Sequence, residues 1–475
     1  MAAEHAGAGP AGPEVVPAPR YFTRWGTVLT GAILLSLSTL AVWPTPPLET
    51  LQRPDASLAR VVGRDLDFRA AARRAPAWER RLYELALGAE DDSRDEAIGW
   101  YTELVEAEGS PLAELQRIVL LAEDGRAADI GRALAEWAPA EEPGRRLAAW
   151  AAAAYAPEPP TSAALESALT GARTELEPDW FRDRLVAALA MRLGDPAAAA
   201  AADAAVLARG RRLLQRQRAL LGAEGLLLLA SAAGAAGLLG AARRRVAGAP
   251  IPPVWSGLDG LGLFTRGGVG LVGVAGLGSF LPDSAGVAAL LSLLSAVPLL
   301  AATWAYCRAR ELSARALFGL RGASGRWGAL GRASVVLIGL STLADLVIET
   351  GGARLGFSPH WTDGFQERLV WGSRGDVLAD VLDSVIMAPI LEEVLFRGVL
   401  YATFRLRLSP LPAALASGIV FAAAHGYGAV GFASVLGSGI VWALAYEATR
   451  SLVPGMVAHA TGNLLATATV VLTLR

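Results

Sequence analysis

The stretch Glu392-Glu393-Val394-Leu395-Phe396-Arg397-Gly398 constrains this chain more than any other. It lies inside an apolar run from Val377 to Leu400, long enough for a membrane-spanning helix. An ionisable side chain at a bilayer centre costs roughly 2.5 kcal/mol or more. Three together need partners, a water-filled cavity, or both, and the rest of the chain has to supply them. Glu393 and Arg397 are four apart and share a helix face, which suits an ion pair. Glu392 is turned by about 100° and cannot share that partner. One carboxylate is therefore expected to be neutralised and the other left free to take a proton, the division that general-base chemistry needs.

The other polar residues of the apolar half are few. The chain has 475 residues, 53% hydrophobic and only 19% charged, so a large part must lie in a nonpolar solvent. The formal net charge of -2 argues against a nucleic-acid partner. Every basic residue is arginine, and with the abundant alanine this suggests a GC-rich bacterial genome and a multi-pass protein of the bacterial cytoplasmic membrane. The single cysteine, Cys307, excludes an intrachain disulfide and a cysteine metal cluster. Of the four histidines, His5 and His360 lie in polar segments, whereas His425 and His459 lie in apolar ones.

These patterns predict an all-α protein, a polytopic membrane bundle with a soluble helical domain inserted after the first span. Residues 1–24 read as a disordered tail rich in Ala, Gly and Pro. Residues 25–43 form an anchor helix bracketed by Trp25 and Trp43. Residues 44–218 carry amphipathic helical periodicity, with breaks at Gly109-Ser110-Pro111, Pro157 to Pro160 and Gly194-Asp195-Pro196. They read as an extracytoplasmic domain of short helices for contact with a protein partner. Residues 219–350 form an N-terminal membrane bundle, 351–376 a loop, and 377–475 a second membrane domain. Spans are placed at 219–240, 267–281, 285–306, 333–350, 377–404, 411–427, 429–447 and 452–472, about nine with the anchor. With the N-terminus inside, Arg243-Arg244-Arg245, Arg308 to Arg332, Arg405, Arg407 and Arg450 all fall inside. The cluster Arg209 to Arg218 is the one violation, in a long domain where the rule is weak. Asp345, Glu349, Glu224, Asp380 and Asp383 read as interfacial or cavity-lining acids.

Two further motifs can meet the Glu stretch. Phe421-Ala422-Ala423-Ala424-His425 follows the tight turn Leu408-Ser409-Pro410-Leu411-Pro412, so its span should run antiparallel to the Glu helix. Glu392 lies 17 residues before Ser409 and His425 lies 16 after it, which puts both about 25 Å from the turn. In the last span His459 and Asn463 stack on one face, roughly level with the other two. Gly455, Ala458 and Gly462 there allow a close helix approach.

In this order the three motifs resemble the CAAX-protease and bacteriocin-processing family of intramembrane proteases (CPBP, also called Abi). Its pattern is Glu-Glu-x-x-x-Arg, then Phe-x-x-x-His, then His-x-x-x-Asn or Asp. The matching residues are Glu392, Glu393, Arg397, Phe421, His425, His459 and Asn463, and the resemblance covers about residues 375–472. It implies an endopeptidase acting at the lipid bilayer on a membrane-associated protein or peptide, with Glu392, Glu393, Arg397, His425, His459 and Asn463 as site residues. In one version Glu392 with His425 deprotonates a water, and His459 and Asn463 stabilise the oxyanion. In the other, Glu392, His425 and His459 hold one divalent metal, zinc, with an open position for water. Two other classes use the same polar cluster: a transporter with a proton relay, and a non-catalytic scaffold.

Overall fold

The computed structural model describes residues 21–42, 48, 51–88, 90–137, 139, 141–158, 160–238, 248–278, 280–282, 284–320, 327–357 and 359–475. Residues 1–20 of the expected tail, Trp43, and the arginines at 243–245, 321 and 326 lie outside them. The described residues are all-helical, with no strand among them. After α1 (Arg24–Val42) come α2 (Pro54–Ala72), α3 (Ala77–Leu87), α4 (Glu90–Glu108), α5 (Pro111–Glu123), α6 (Ala127–Glu136), α7 (Gly144–Tyr155), α8 (Ser162–Glu175) and α9 (Trp180–Leu193). Their boundaries follow the turn signals. Ser110 Oγ accepts the Ala113 N–H at 3.2 Å, and Pro111 opens α5 where its missing N–H costs nothing. Residues of α2, α4, α5 and α7 to α9, among them Leu58, Tyr101, Ile118 and Leu185, are fully buried in one core.

The helix α10 (Pro196–Leu238) has 43 residues. It packs on α2 and α9 at its start, and later on α14 (Trp327–Arg354) and α21 (Val453–Leu474). The boundary expected at residue 218 thus falls inside a continuous helix. The sequence changes composition there without a proline to break it. Two of the arginines that violate the inside rule, Arg209 and Arg218, are paired with acids. Arg209 bonds Asp67 at 2.7 and 3.1 Å and Asp183 at 2.6 Å, and Arg218 bonds Glu79 at 2.6 and 2.9 Å.

The remaining elements are α11 (Gly257–Gly278), α12 (Ala285–Ala309), the single turn α13 (Ala314–Leu317), α14, α15 (Glu367–Trp371), and a long helix over 374–404. They are followed by α19 (Pro410–Ala423), α20 (Ala429–Thr449) and α21. Six helices, α10, α11, α12, α14, α20 and α21, are long and apolar enough to cross a membrane. The protein is a multi-pass membrane protein. Nine spans were expected; α19 is shorter than a span, and the 374–404 helix is broken into short pieces. The start expected at 267 moves to Gly257 because Arg266 is accommodated within α11. Its guanidinium lies 4.2 Å from the centre of the Phe22 ring and donates to Gly262 O at 3.0 Å.

The segment expected as a loop over 351–376 is instead tied to the helices of the first core. Trp361 is buried there, and His360 Nε2 lies 3.1 Å from Glu103 Oε2. The Glu367 carboxylate accepts the backbone N–H groups of Gln52 and Arg53, both at 2.8 Å, and so caps α2 from a distant part of the chain. Two residues after α15, the long helix begins with a capping box between Ser373 and Asp376.

At the start of α9, Asp179 Oδ1 accepts the Arg182 N–H at 2.7 Å. Burial pushes its carboxyl up to about 6, so in the fold the proton is held more tightly than in the unfolded chain. The associated stability is full below about pH 4 and is lost as pH rises through about 6. Asp179→Asn keeps the cap acceptor and removes the titration. In thermal unfolding of the detergent-solubilised protein, wild type should lose stability relative to the variant between about pH 4 and 6. A difference that does not change with pH would refute this.

Candidate active site

The helix that carries the two glutamates is not uniform. It is built from α16 (Arg374–Leu382), a widened turn at Asp383–Met387, α17 (Ala388–Glu392), a second widened stretch at Glu393–Tyr401, and α18 (Ala402–Phe404). In the widened stretches the amides reach five residues back, as Ala388 N does to Asp383 O and Ala402 N to Arg397 O. Pro389 lies between them and has no N–H to offer the Val385 carbonyl, a local reason for the ladder to shift. The two glutamates sit where the second shift begins.

Glu393 and Arg397 are both 1% exposed, and Arg397 Nη1 lies 3.0 Å from Glu393 Oε1. The guanidinium is also 4.0 Å from the centre of the Phe421 ring and 5.0 Å from that of Trp442, so α19 and α20 shield it with aromatic faces. The α21 backbone closes the other side. A Cβ added to Gly455 would come 2.8 Å from Glu393 Oε2, so a side chain there would make the carboxylate shift. The approach of Nη1 to Oε1 is close but off-line. Both atoms are buried without a protein hydrogen-bond partner, so the attraction is mainly one of charge.

Glu392 is 25% exposed at its side chain and faces two imidazoles. Its Oε2 lies 3.9 Å from His425 Nε2 and 3.7 Å from His459 Nε2, and this oxygen too is buried without a protein partner. His425 does not lie on a span as expected. It follows the end of α19, in a turn continued by Gly426 at φ 68°. There its Nδ1 bonds Phe421 O at 2.8 Å, which turns Nε2 towards Glu392. His459 stacks on Trp442 at 4.4 Å and 25°, and Trp442 Nε1 donates to Ser341 Oγ at 2.8 Å. Its Nδ1 lies 3.4 Å from Glu393 Oε1, so this imidazole stands between the two carboxylates.

Asn463 goes elsewhere. Its Nδ2 donates to Ser384 O at 2.8 Å, in the first widened turn. Gly462 faces open space, so of the small residues of α21 Gly455 and the buried Ala458 mark the close approach. Among Glu392, Glu393, Arg397, His425 and His459 the ion-pair and imidazole contacts form one connected cluster, and Asn463 fixes the helix a few turns away. Trp442 and Ser341 were missed from sequence. A tryptophan in the middle of an apolar span, rather than at its ends, was the available signal.

The arrangement holds a carboxylate oxygen opposite two imidazole nitrogens at separations beyond a direct hydrogen bond, where a water or a polar group of a ligand fits between. Glu392, His425 and His459 have the chemistry of zinc ligands. Among the described residues, however, no three His, Cys, Asp or Glu side chains are arranged to hold a metal ion.

Residues 374–465 match the model of a family described as type II CAAX prenyl endopeptidase Rce1-like, and the matched region contains every residue of the cluster. Neither the curated proteins nor the solved structures gave a match.

Removing one member of a buried ion pair strands the other's charge, at a cost of about 3–5 kcal/mol. Arg397→Met should therefore lower the melting temperature strongly, and Glu393→Gln/Arg397→Met should cost less than the two single changes summed. Strict additivity in the thermal unfolding of the three variants would show that the pair is not coupled. The widened helix, the motif order and the family match concern the same stretch, and residues 374–465 belong to the CAAX-protease and bacteriocin-processing (CPBP) family of intramembrane proteases.

Proposed function

We propose that this chain is an intramembrane endopeptidase that hydrolyses peptide bonds of a membrane-associated protein or peptide through a water activated by Glu392. The observation that carries the reading is the position of Glu392 Oε2, buried, without a protein hydrogen-bond partner, and opposite the Nε2 atoms of two histidines. The His459 imidazole lies between both carboxylates and stacks on Trp442. His425, whose Nδ1–H is directed to Phe421 O, then presents an Nε2 lone pair.

Glu392 and His425 hold the water by its two hydrogens. Glu392 takes one proton as the oxygen attacks the scissile carbonyl. The developing oxyanion accepts a hydrogen bond from His459 Nε2–H. Collapse of the tetrahedral species expels the amine, and Glu392 returns the proton to it. Glu393 and Arg397 keep the His459 imidazole in place, and the Asn463 amide acts as a positioning group through the Ser384 carbonyl. The arginine-only composition supports a bacterial cytoplasmic membrane as the site of action.

Glu392→Gln keeps the shape of the side chain and removes the base. Cleavage should fall by about 10²–10⁴ while the melting temperature stays near wild type. His459→Ala should likewise abolish cleavage. The readout is a comparison of new N- and C-termini in the membrane and secreted proteomes of wild-type and variant strains. Full retention of wild-type cleavage products in the Glu392→Gln strain would end the proposal.

A further inference from the structure

A cavity of about 260 Å³ lies among the helices of the first core, bordered by α2, α5, α9, residues 175–179 before α9, Arg209 of α10 and Trp371. It is small against the roughly 300–1,000 Å³ of most small-molecule sites, yet holds several water volumes. Arg60 and Arg64 project from successive turns of α2 and line it. Neither has an ion-pair partner among the described residues. Arg60 lies 4.6 Å from the centre of the Trp371 ring, and Asp67, near Arg64, already receives Arg209 on both oxygens. Burial together with Arg60, Arg209 and Arg216 pushes the Arg64 guanidinium down, so an added anion would be welcome there.

Gln116 of α5, also in the lining, is 4% exposed, and its Oε1 is buried with no hydrogen-bond partner. An orphaned acceptor of this kind costs about 1–3 kcal/mol until a donor meets it. Leu115, Val119 and Leu185 add apolar lining to the same cavity. Two unpaired arginines, one unmet acceptor and an apolar lining in a small space describe the end of a peptide: a carboxylate, an amide N–H and a hydrophobic side chain.

We propose that this cavity binds the C-terminal residue of a short apolar peptide, with the carboxylate on Arg60 and Arg64 and its amide N–H donated to Gln116 Oε1. The binding does not depend on the proteolytic reading, and a chain inactive as a protease would still show it.

The test is isothermal titration calorimetry of the full chain in detergent micelles with N-acetylleucine, N-acetylleucine amide and inorganic phosphate. N-acetylleucine should bind saturably with a stoichiometry of one. The amide, lacking the charge, should bind at least about tenfold more weakly. Arg64→Met should abolish this preference, and Arg60→Met provides the same readout should the first variant fail to fold. Gln116→Leu should weaken N-acetylleucine while preserving its preference over the amide. The proposal is overturned by equal binding of acid and amide, by no saturable binding of either, or by phosphate competing as well as N-acetylleucine.

Discussion

A guanidinium and a carboxylate, each 1% exposed, lie 3.0 Å apart inside an apolar bundle, and the architecture of residues 374–474 can be understood as the means of tolerating them. Neither charge could be buried alone. The pair itself is not aligned well enough to satisfy every polar atom. The remaining stabilisation comes from outside the helix that bears it: the Phe421 and Trp442 rings against Arg397, and the His459 imidazole against Glu393. Four helical segments therefore have to meet at one place. Gly455 leaves room for the Glu393 carboxylate, since α21 approaches it where a Cβ would come 2.8 Å from Oε2 and make it shift.

The same convergence gives Glu392 its distinct surroundings. It adjoins Glu393 in the chain, yet its side chain is partly exposed and faces His425 and His459 rather than Arg397. The widened turns of the helix and the end of α19 before His425 both depart from the regular spans that periodicity suggests. Both departures occur at the polar cluster. Irregular backbone at membrane depth is tolerated where it is buried in protein or lines a cavity.

Outside the bundle, charge is managed through pairing. Arg209 and Arg218 of α10, two of the arginines that contradict a simple inside rule, are bound by Asp67, Asp183 and Glu79, and the Glu367 carboxylate accepts the backbone N–H groups just before α2. The segment carrying Glu367 and Trp361 leads directly into the helix of the two glutamates. Thus the packing of the first core and the position of Arg374 are linked through a few side chains rather than through a flexible loop.

Much of this was legible from residue order. Ion-pair spacing at Glu393 and Arg397, the equal distances of Glu392 and His425 from the Ser409 turn, and the i, i+4 placement of His459 and Asn463 are local properties, because helix pitch converts sequence separation into direction and depth. The all-helical class followed from apolar runs of spanning length and from amphipathic helical periodicity. What sequence could not decide was which atoms face which. It could not place His459 between both carboxylates, send Asn463 to the Ser384 carbonyl, or bring Trp442 to the imidazole, because these depend on helix rotations set by packing across the bundle. Nor could it show that α10 passes unbroken through residue 218, since a change in composition has no necessary consequence for backbone continuity. Residue spacing along one helix is fixed by covalent geometry, whereas the meeting of side chains from different helices is fixed only when all of them pack together.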